Sequence, residues 1–182
     1  MSNGAPGRRQ IALVLVAAVA ENGVIGSNGA LPWRLKSEMQ HFRALTMGKP
    51  IVAGRRTYLS FARKPLPGRT NIVASRDRNF SAPGALVAPD LTTALETARG
   101  DALRRGVDAI MVVGGADIYA QTMARADRLV VTRVKLAPDG DARFPPIDPK
   151  VWREVACTDH AAGPDDEAGY SVRVYERLAR AL

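Results

Sequence analysis

Apolar, β-branched runs alternate with helical patterns along this chain. The runs predict strands over residues 11–20, 50–53, 71–74, 109–113, 129–134 and 170–175. The segments between them predict helices over residues 37–46, 56–61, 91–105 and 116–124. Strands that alternate with helices form βαβ units around a largely parallel sheet, which indicates the α/β class. Residues 11–20 and 110–113 are apolar without alternation, as is typical of strands buried on both faces.

The chain is long enough for one domain with a sizeable core. Its 182 residues are 46% hydrophobic and 24% charged, which is ordinary for a globular protein. We expect a disordered tail over residues 1–9 and a single domain over residues 10–182. Arg8-Arg9 before the first apolar run resembles a secretory signal. A core strand is the better interpretation, because cleavage would leave the Gly-rich loop that follows without its strand.

One cysteine, Cys157, allows neither an internal disulfide nor a cysteine-based zinc site. A reducing cytoplasm is therefore the expected location. The first apolar run is too short to span a bilayer, so no membrane association is expected.

The net charge of +8 is concentrated in residues 49–78, where basic residues outnumber acidic ones eight to one. Such a segment is compatible with a solvated face, a nucleic-acid footprint or a site for small polyanions. Only Tyr58 and Phe61 supply aromatic rings nearby, and no nucleic-acid-binding module is visible. Small polyanions therefore fit this segment better than nucleic acid does.

Three predicted strands end in groups that suit phosphate. The strand over residues 109–113 runs into Gly114-Gly115 and a helix start, a geometry that exposes backbone N–H groups to a diphosphate. The spacing of the Rossmann fingerprint is absent. The other two strand ends carry hydroxyl and guanidinium groups, in Gly54-Arg55-Arg56-Thr57 and in Ser75-Arg76. A ligand with a diphosphate and a separate phosphate, such as NADPH, would satisfy all three ends.

A single acid, Glu38, follows the Gly-rich loop and Leu31-Pro32-Trp33. Ser37 and Gln40 predict a capping box that places Glu38 in the first turn of a helix. An exposed partner of the helix dipole is the simplest interpretation of such a residue. The apolar neighbours instead favour a desolvated carboxyl group with a raised pKa, able to hold a proton near neutral pH.

Taken together, these segments resemble dihydrofolate reductase from about residue 11 to residue 177. The resemblance is carried by the following motifs: Val24-Ile-Gly-x-x-Gly-x-Leu-Pro-Trp33, Glu38 with Phe42, Gly54-Arg55-x-Thr57, Pro65-Leu-Pro-Gly-Arg69, Ser75-Arg76, Val113-Gly-Gly-Ala-x-Ile-Tyr119, Thr132, Gly140-Asp141 and Phe144-Pro145. It implies a predominantly parallel eight-stranded central sheet with flanking helices and an adenosine-binding subdomain over about residues 49–106. It also implies a monomeric enzyme that transfers a hydride from NADPH to C6 of 7,8-dihydrofolate while N5 of the pterin gains a proton, which gives tetrahydrofolate. The same pocket is expected to bind 2,4-diaminopyrimidine antifolates.

The resemblance assigns roles position by position and implies no metal. The residues with catalytic roles would be Glu38, Trp33, Leu31, Thr132 and Tyr119. Substrate would contact Val16, Glu38, Met39, Phe42, Phe61, Arg69, Val113 and Thr132. Cofactor would contact Ala18, Ile25, Gly26, Gly54, Arg55, Arg56, Thr57, Ser75, Arg76, Gly114, Gly115, Ala116, Asp117, Ile118, Tyr119 and Gln121. The Gly114–Gly115 peptide bond is expected to be cis, and Gly140-Asp141 to brace the loop that carries Leu31.

Several positions depart from the family's pattern. The acid is Glu rather than the Asp more usual in bacteria, and Leu31 replaces a frequent Met. An extra residue between Phe61 and Pro65 leaves open whether Arg63 or Lys64 faces the folate tail. Asp117 stands where a basic residue sometimes holds the cofactor. His41, where the family often has Trp or Tyr, is expected to be a half-exposed polar residue.

Three other functions are weighed against this one. The pyrimidine reductase of riboflavin biosynthesis shares the fold and NADPH, but Leu31-Pro32-Trp33 and Glu38 argue against it. Cys157 alone excludes the zinc deaminase that usually accompanies that reductase. A nucleic-acid-binding protein would be retained on DNA without oxidising NADPH. The presence of Glu38 argues against a non-catalytic NADPH-binding relative.

Overall fold

The computed structural model describes residues 10–179, so the predicted tail over residues 1–9 lies outside the described part of the chain. Within residues 10–179, strands and helices follow one another in a regular order. They are β1 (Ala12–Ala20), β2 (Val24–Gly26), α1 (Lys36–Thr46), β3 (Ile51–Gly54), α2 (Arg55–Ser60), β4 (Asn71–Ala74), β5 (Leu86–Ala88), α3 (Leu91–Arg105), β6 (Ala109–Val112), α4 (Ala116–Thr122), β7 (Arg128–Val134), β8 (Ala142–Arg143), β9 (Trp152–His160) and β10 (Tyr170–Arg177).

Eight strands form one central sheet in the order β5-β4-β3-β6-β1-β7-β10-β9. The strands from β5 to β7 run parallel to one another. Strand β10 runs antiparallel to β7, and β9 runs antiparallel to β10. The predicted fold class, a predominantly parallel eight-stranded sheet with flanking helices, is thereby confirmed.

Both faces of β1 are buried, which explains its continuous apolar sequence. Leu15 and Val19 belong to the core cluster that contains the apolar face of α3. Val14 and Val16 belong to a second cluster, which contains Trp33. Alternate side chains of a strand point to opposite faces of the sheet, so β1 lies between two apolar layers.

The two edge strands do not follow from the hydrophobic pattern. Strand β5 is only three residues long, and its first two residues are exposed. Strand β9 is nine residues long, but the residues between Trp152 and His160 are exposed. A strand that pairs on one side only and leaves most of its side chains exposed needs no alternation of apolar residues, so the sequence carries no signal for it.

Helix α3 has capping groups at both ends. The Asp90 carboxylate accepts a hydrogen bond from the backbone N–H of Thr93 at 2.7 Å, and Gly106 ends the helix in the left-handed region at φ 68°. With 15 residues it is the longest helix between residues 10 and 179. No helix in this part of the chain has the length and apolar character needed to cross a membrane.

The Gly-rich loop between β2 and α1 contains a tight turn. Ser27 and Ala30 exchange backbone hydrogen bonds of 2.9 and 3.0 Å, and the residues between them, Asn28 and Gly29, have φ angles of 50° and 79°. Asn-Gly with two positive φ angles is the preferred sequence for a two-residue hairpin turn. Strand β2 pairs with β8, so this turn protrudes from a separate two-stranded sheet.

Candidate active site

Glu38 lies in the first turn of α1 and is only 6% exposed. The Thr132 hydroxyl on β7 donates a hydrogen bond to Glu38 Oε1 at 3.1 Å. Burial raises the pKa of the Glu38 carboxyl group, and the bond from Thr132 partly opposes that rise. The acid is therefore a desolvated group that can exchange a proton at higher pH than an exposed Glu can.

The resemblance assigns two buried aromatic side chains with polar groups, Trp33 and Tyr119, to the same site as this acid. Trp33 is buried, and its indole Nε1 has no hydrogen-bond partner among residues 10–179. The Tyr119 hydroxyl donates to the backbone carbonyl of Val16 at 2.6 Å. Burial raises the pKa of the Tyr119 phenol far above its usual value, and the nearby Glu38 charge raises it further. Tyr119 is therefore a neutral hydrogen-bond donor beside the acid, and Trp33 offers a donor to a ligand or a water.

The capping box expected from Ser37 and Gln40 is wrong. The residue before α1 is Leu35, and it supplies no side-chain cap. The side chain of Asp166, in the loop between β9 and β10, takes that role by accepting from the Ser37 backbone N–H at 3.0 Å. Ser37 donates its own hydroxyl to the same carboxylate at 2.6 Å, so it is not available to cap the helix.

The glycine turns after β3 and β6 lie against each other. The Gly54 backbone N–H donates to the Gly114 carbonyl at 2.8 Å, and the Gly114–Gly115 peptide bond is cis, as the resemblance implied. Gly114 has φ 121°, and a Cβ there would lie 3.3 Å from the Tyr119 hydroxyl. A Cβ on Gly115 would lie 2.9 Å from Thr57 Oγ1. The φ angle at Gly114 requires glycine, and a side chain on Gly115 would crowd Thr57, so these residues leave backbone atoms open to a close ligand.

The basic segment forms a second candidate region at the ends of β4 and β5. A cavity of about 530 Å³ is lined there by Ser75, Arg76, Asp77, Arg78, Phe80, Val87 and Pro89. Arg55 Nη1 lies 2.6 Å from Asp77 Oδ2, and the Arg55 guanidinium lies 6.0 Å from the Phe80 ring centre. This cavity has the guanidinium and hydroxyl groups that suit a phosphate monoester.

Comparison with known proteins identifies the family. The sequence profile described as dihydrofolate reductase matches residues 12–177. The chain belongs to the dihydrofolate reductase family. It is accordingly an oxidoreductase that uses NADPH to reduce dihydrofolate to tetrahydrofolate.

Individual relatives agree with this assignment. The chain is 41% identical to dihydrofolate reductase type 3 of Salmonella typhimurium over 157 residues, which cover 86% of this chain and 91% of the relative. It is 44% identical to a dihydrofolate reductase of Neisseria meningitidis over 147 residues, which cover 81% of this chain and 87% of the relative. A similar solved structure is the dihydrofolate reductase of Enterococcus faecalis complexed with NADP(H) and RAB-propyl. That structure has a TM-score of 0.79 and 28% identity, with 91% of this chain and 96% of the other covered.

The loop of the reductase that carries Leu31 and Trp33 is held by the segment after β7. Asp141 accepts from the Asn28 backbone N–H at 3.2 Å and donates its own N–H to the Gly26 carbonyl at 3.1 Å. A Cβ on Gly140 would lie 2.5 Å from the Gly26 carbonyl oxygen, so the approach requires glycine there. Leu31 is 48% exposed whereas Trp33 is 6% exposed, so of these two side chains only Leu31 lies at the surface.

The predicted folate-tail region contains a basic residue that the sequence reasoning missed. Arg69 donates to Thr46 Oγ1 at 3.1 Å and to the Pro67 carbonyl at 3.0 Å. Burial lowers the pKa of the Arg69 guanidinium, and the charge of Arg43 lowers it further. Arg43 therefore lies close to Arg69. Its position one residue after Phe42, on the helix that carries the acid, is the signal that could have found it.

The remaining assigned residues differ in their surroundings. Lys64 Nζ donates to the backbone carbonyls of Leu59 and Phe61 at 3.1 and 2.9 Å, so its charge is engaged at the end of α2. Ile118 packs against Gly54. The exposed residues are Met39, Arg56, Arg76, Asp117 and Gln121, and the half-buried ones are Ala18, Ile25, Gly26, Phe42, Thr57, Phe61, Ala116 and His41. Val113 and Ser75 are buried.

Proposed function

We propose that Glu38, Thr132, Trp33 and Tyr119 form the pterin end of the reductase's active site. The observation that carries this proposal is the buried Glu38 carboxyl group, hydrogen-bonded to the Thr132 hydroxyl at 3.1 Å. A buried acid needs polar partners, and a pterin supplies an amino group and a ring nitrogen that match the two carboxylate oxygens. The unpartnered Trp33 indole N–H is a further donor available to an acceptor or water in the same space.

The residues of this chain position the pterin and control its protonation. NADPH supplies the hydride that reduces C6. Glu38 binds the pterin amino group and ring nitrogen, fixes the tautomer of the ring and raises the basicity of N5 through its charge. The Tyr119 hydroxyl, held on the Val16 carbonyl, stays protonated and keeps that carbonyl oriented. The Leu31 loop adds to the rate in two ways, because it excludes water and holds the reacting atoms in position.

The cofactor end of the site lies between the glycine turns and the basic cavity. Gly114 and Gly115 have no side chain, and an added Cβ would crowd Tyr119 and Thr57. The exposed backbone there fits a diphosphate that approaches closely. We place the 2′-phosphate in the cavity beside Ser75 and Arg76. The Arg55 guanidinium donates a hydrogen bond to the Asp77 carboxylate, which fixes its orientation. Arg55 would therefore contribute positive charge to the cofactor site. Residues 49–106 would act as the adenosine-binding subdomain.

The substrate tail lies on the other side of Glu38 in this proposal. Phe42 and Phe61 would pack against the aminobenzoyl ring, and Arg69 would bind the α-carboxylate of the glutamate. The bonds from Arg69 to Thr46 and Pro67 support this role, because they fix the guanidinium before a ligand arrives. The pterin pocket would also accept 2,4-diaminopyrimidine antifolates, which present a similar pair of donors to Glu38.

One chain supplies both ends of this cleft, so we propose that the enzyme works as a monomer. The exposed free thiol of Cys157 is compatible with a reducing cytoplasm. Gel filtration with light scattering at assay concentrations tests the monomer, and a mass of twice 19.5 kDa would contradict it.

The decisive experiment is NADPH oxidation in the presence of dihydrofolate by the wild type and by Glu38→Gln. We expect dihydrofolate-dependent oxidation that falls at least about 100-fold in Glu38→Gln near neutral pH. NADPH affinity, measured by fluorescence, should stay close to wild type. Glu96→Gln, which changes an exposed residue of α3 in the same way, is the matched control. Undiminished turnover by Glu38→Gln would remove the role assigned to this acid.

A further inference from the structure

The helix that carries the acid is held at its start by a residue from the far end of the chain. The first turn of a helix leaves backbone N–H groups without intrahelical partners. Asp166 fills this position by accepting from the Ser37 N–H and hydroxyl at 3.0 and 2.6 Å. The Gly163 N–H donates to the same carboxylate at 3.0 Å. Asp166 is thus fixed both in its own loop and on the residue that immediately precedes Glu38.

Ser37 links this carboxylate to the central sheet. A serine hydroxyl has one proton, and it points to Asp166, because an ionised carboxylate only accepts. The Tyr170 hydroxyl, 2.9 Å from Ser37 Oγ, is therefore the donor in their hydrogen bond. Tyr170 is 2% exposed and its ring stacks on His160 with 4.9 Å between ring centres. The hydroxyl that meets Ser37 is consequently immobilised by the core.

The two supports of Glu38 come from neighbouring strands. Tyr170 opens β10, and two residues further along the same strand Val172 pairs with Thr132 of β7. The first turn of α1 is thus tied to β10 through Ser37, while its carboxylate is tied to β7 through Thr132. Any shift of the first turn relative to β10 changes the separation of the Glu38 carboxylate and the Thr132 hydroxyl.

We propose that Asp166 is a positioning residue for the reaction, which fixes the first turn of α1 and with it the distance between Glu38 and Thr132. This inference rests on the role proposed for Glu38. Hydrogen bonds weaken steeply as distance and angle depart from their optimum, so a small displacement alters both the charge state of the acid and its contact with the pterin. Misplacement of a catalytic group by about 1 Å costs about 100-fold in rate.

The carboxylate of Asp166 is suited to this role near neutral pH. The bonds from Ser37, first from its hydroxyl and then from its N–H, lower the pKa of Asp166. The acceptor therefore stays ionised near neutral pH. Asp165 beside it differs, because its carboxylate meets only the exposed ammonium of Lys36 at 2.8 Å among the contacts of residues 10–179. Asp165 thus carries the same charge on the same loop but contacts α1 only through an exposed ion pair, which fixes a backbone much less than the bond from the Ser37 N–H to Asp166 does.

The test compares Asp166→Ala and Asp166→Asn with the matched control Asp165→Ala in steady-state assays of NADPH oxidation. We expect Asp166→Ala to lower kcat/KM for dihydrofolate about tenfold or more and to move the pH midpoint of that parameter, with KM for NADPH unchanged. Asp166→Asn keeps an oxygen for the Ser37 N–H and should retain most of the activity. Asp165→Ala should behave as wild type.

A wild-type pH profile and wild-type dihydrofolate kinetics in Asp166→Ala would overturn the inference, even with a lower melting temperature. An equal loss in Asp165→Ala would also overturn it, because loop charge would then be the cause. If Asp166→Ala does not fold, Ser37→Ala must show the same shift, and an unchanged profile there decides against the proposal. Failure of the proposed function differs visibly, since Glu38→Gln would then remain active.

Discussion

Replacing Thr132 by valine removes the only hydrogen bond seen between residues 10 and 179 that reaches the Glu38 carboxylate from a side chain. Valine has nearly the shape of threonine, and position 132 is 3% exposed in the middle of β7, so the strand keeps its packing. The change therefore acts on the electrostatics of the acid far more than on the fold.

The size of the effect follows from the bond itself. A hydrogen bond to a charged group contributes about 1.5–3 kcal/mol, and this one favours the ionised form of Glu38. Burial, which raises the pKa of Glu38, is then no longer opposed by Thr132. Since about 1.4 kcal/mol is a tenfold change in an equilibrium constant, the ionisation constant of Glu38 should fall roughly ten- to a hundredfold.

The assay is the pH dependence of kcat/KM for dihydrofolate, measured by NADPH oxidation for Thr132→Val and the wild type. We expect the midpoint assigned to Glu38 to move to higher pH in the variant. Thr158→Val, an exposed residue of β9, serves as the control for the same chemical change. If Glu38→Gln is inactive and the midpoint in Thr132→Val is unchanged or lower, the hydrogen bond from Thr132 does not control the pKa of Glu38, and the reasoning is refuted.

Three further outcomes are expected. Because burial raises the folded-state pKa of Glu38, ionisation of this acid destabilises the ligand-free protein as pH rises through that pKa. Glu38→Gln should therefore increase the free energy of unfolding in urea at pH 8 and not at pH 4. An increase at pH 4 that is absent at pH 8 would contradict a raised pKa. Burial, and then the charge of His160, lowers the pKa of His41, so stability should decrease as pH falls below about 6.5, and His41→Gln should flatten that decrease in unfolding curves between pH 7.5 and 5. Arg76→Ala should raise KM for NADPH much more than KM for NADH, and equal effects would place the 2′-phosphate elsewhere.

The parts of the fold that bury apolar side chains could be predicted from the sequence. Strand β4 was expected over its observed residues 71–74 and α3 over its observed residues 91–105, because each has a local pattern and local boundary residues. The apolar runs of β1 and β6 indicated burial on both faces for the same reason. Strand β9 could not be predicted, since its exposed residues carry no periodicity.

The contacts of the site were harder to predict than its residues. Ser37 looked like the helix cap by local spacing, but the cap comes from Asp166, which is 129 residues away in the chain. The salt bridge between Arg55 and Asp77 likewise joins the ends of two parallel strands and depends on how those strands pair. Local sequence rules contain no information about which distant carboxylate a donor will meet.

The packing of Tyr119 against Gly114 restricts how this protein can evolve. Any side chain at position 114 would press on the Tyr119 ring, and a smaller residue at 119 would deprive the Val16 carbonyl of its donor. A substitution at either position is therefore damaging, and a change at position 119 does not rescue one at position 114, because the φ angle of 121° there disfavours every residue except glycine. An inhibitor that gains its affinity from the backbone of this turn would face few single-step routes to resistance.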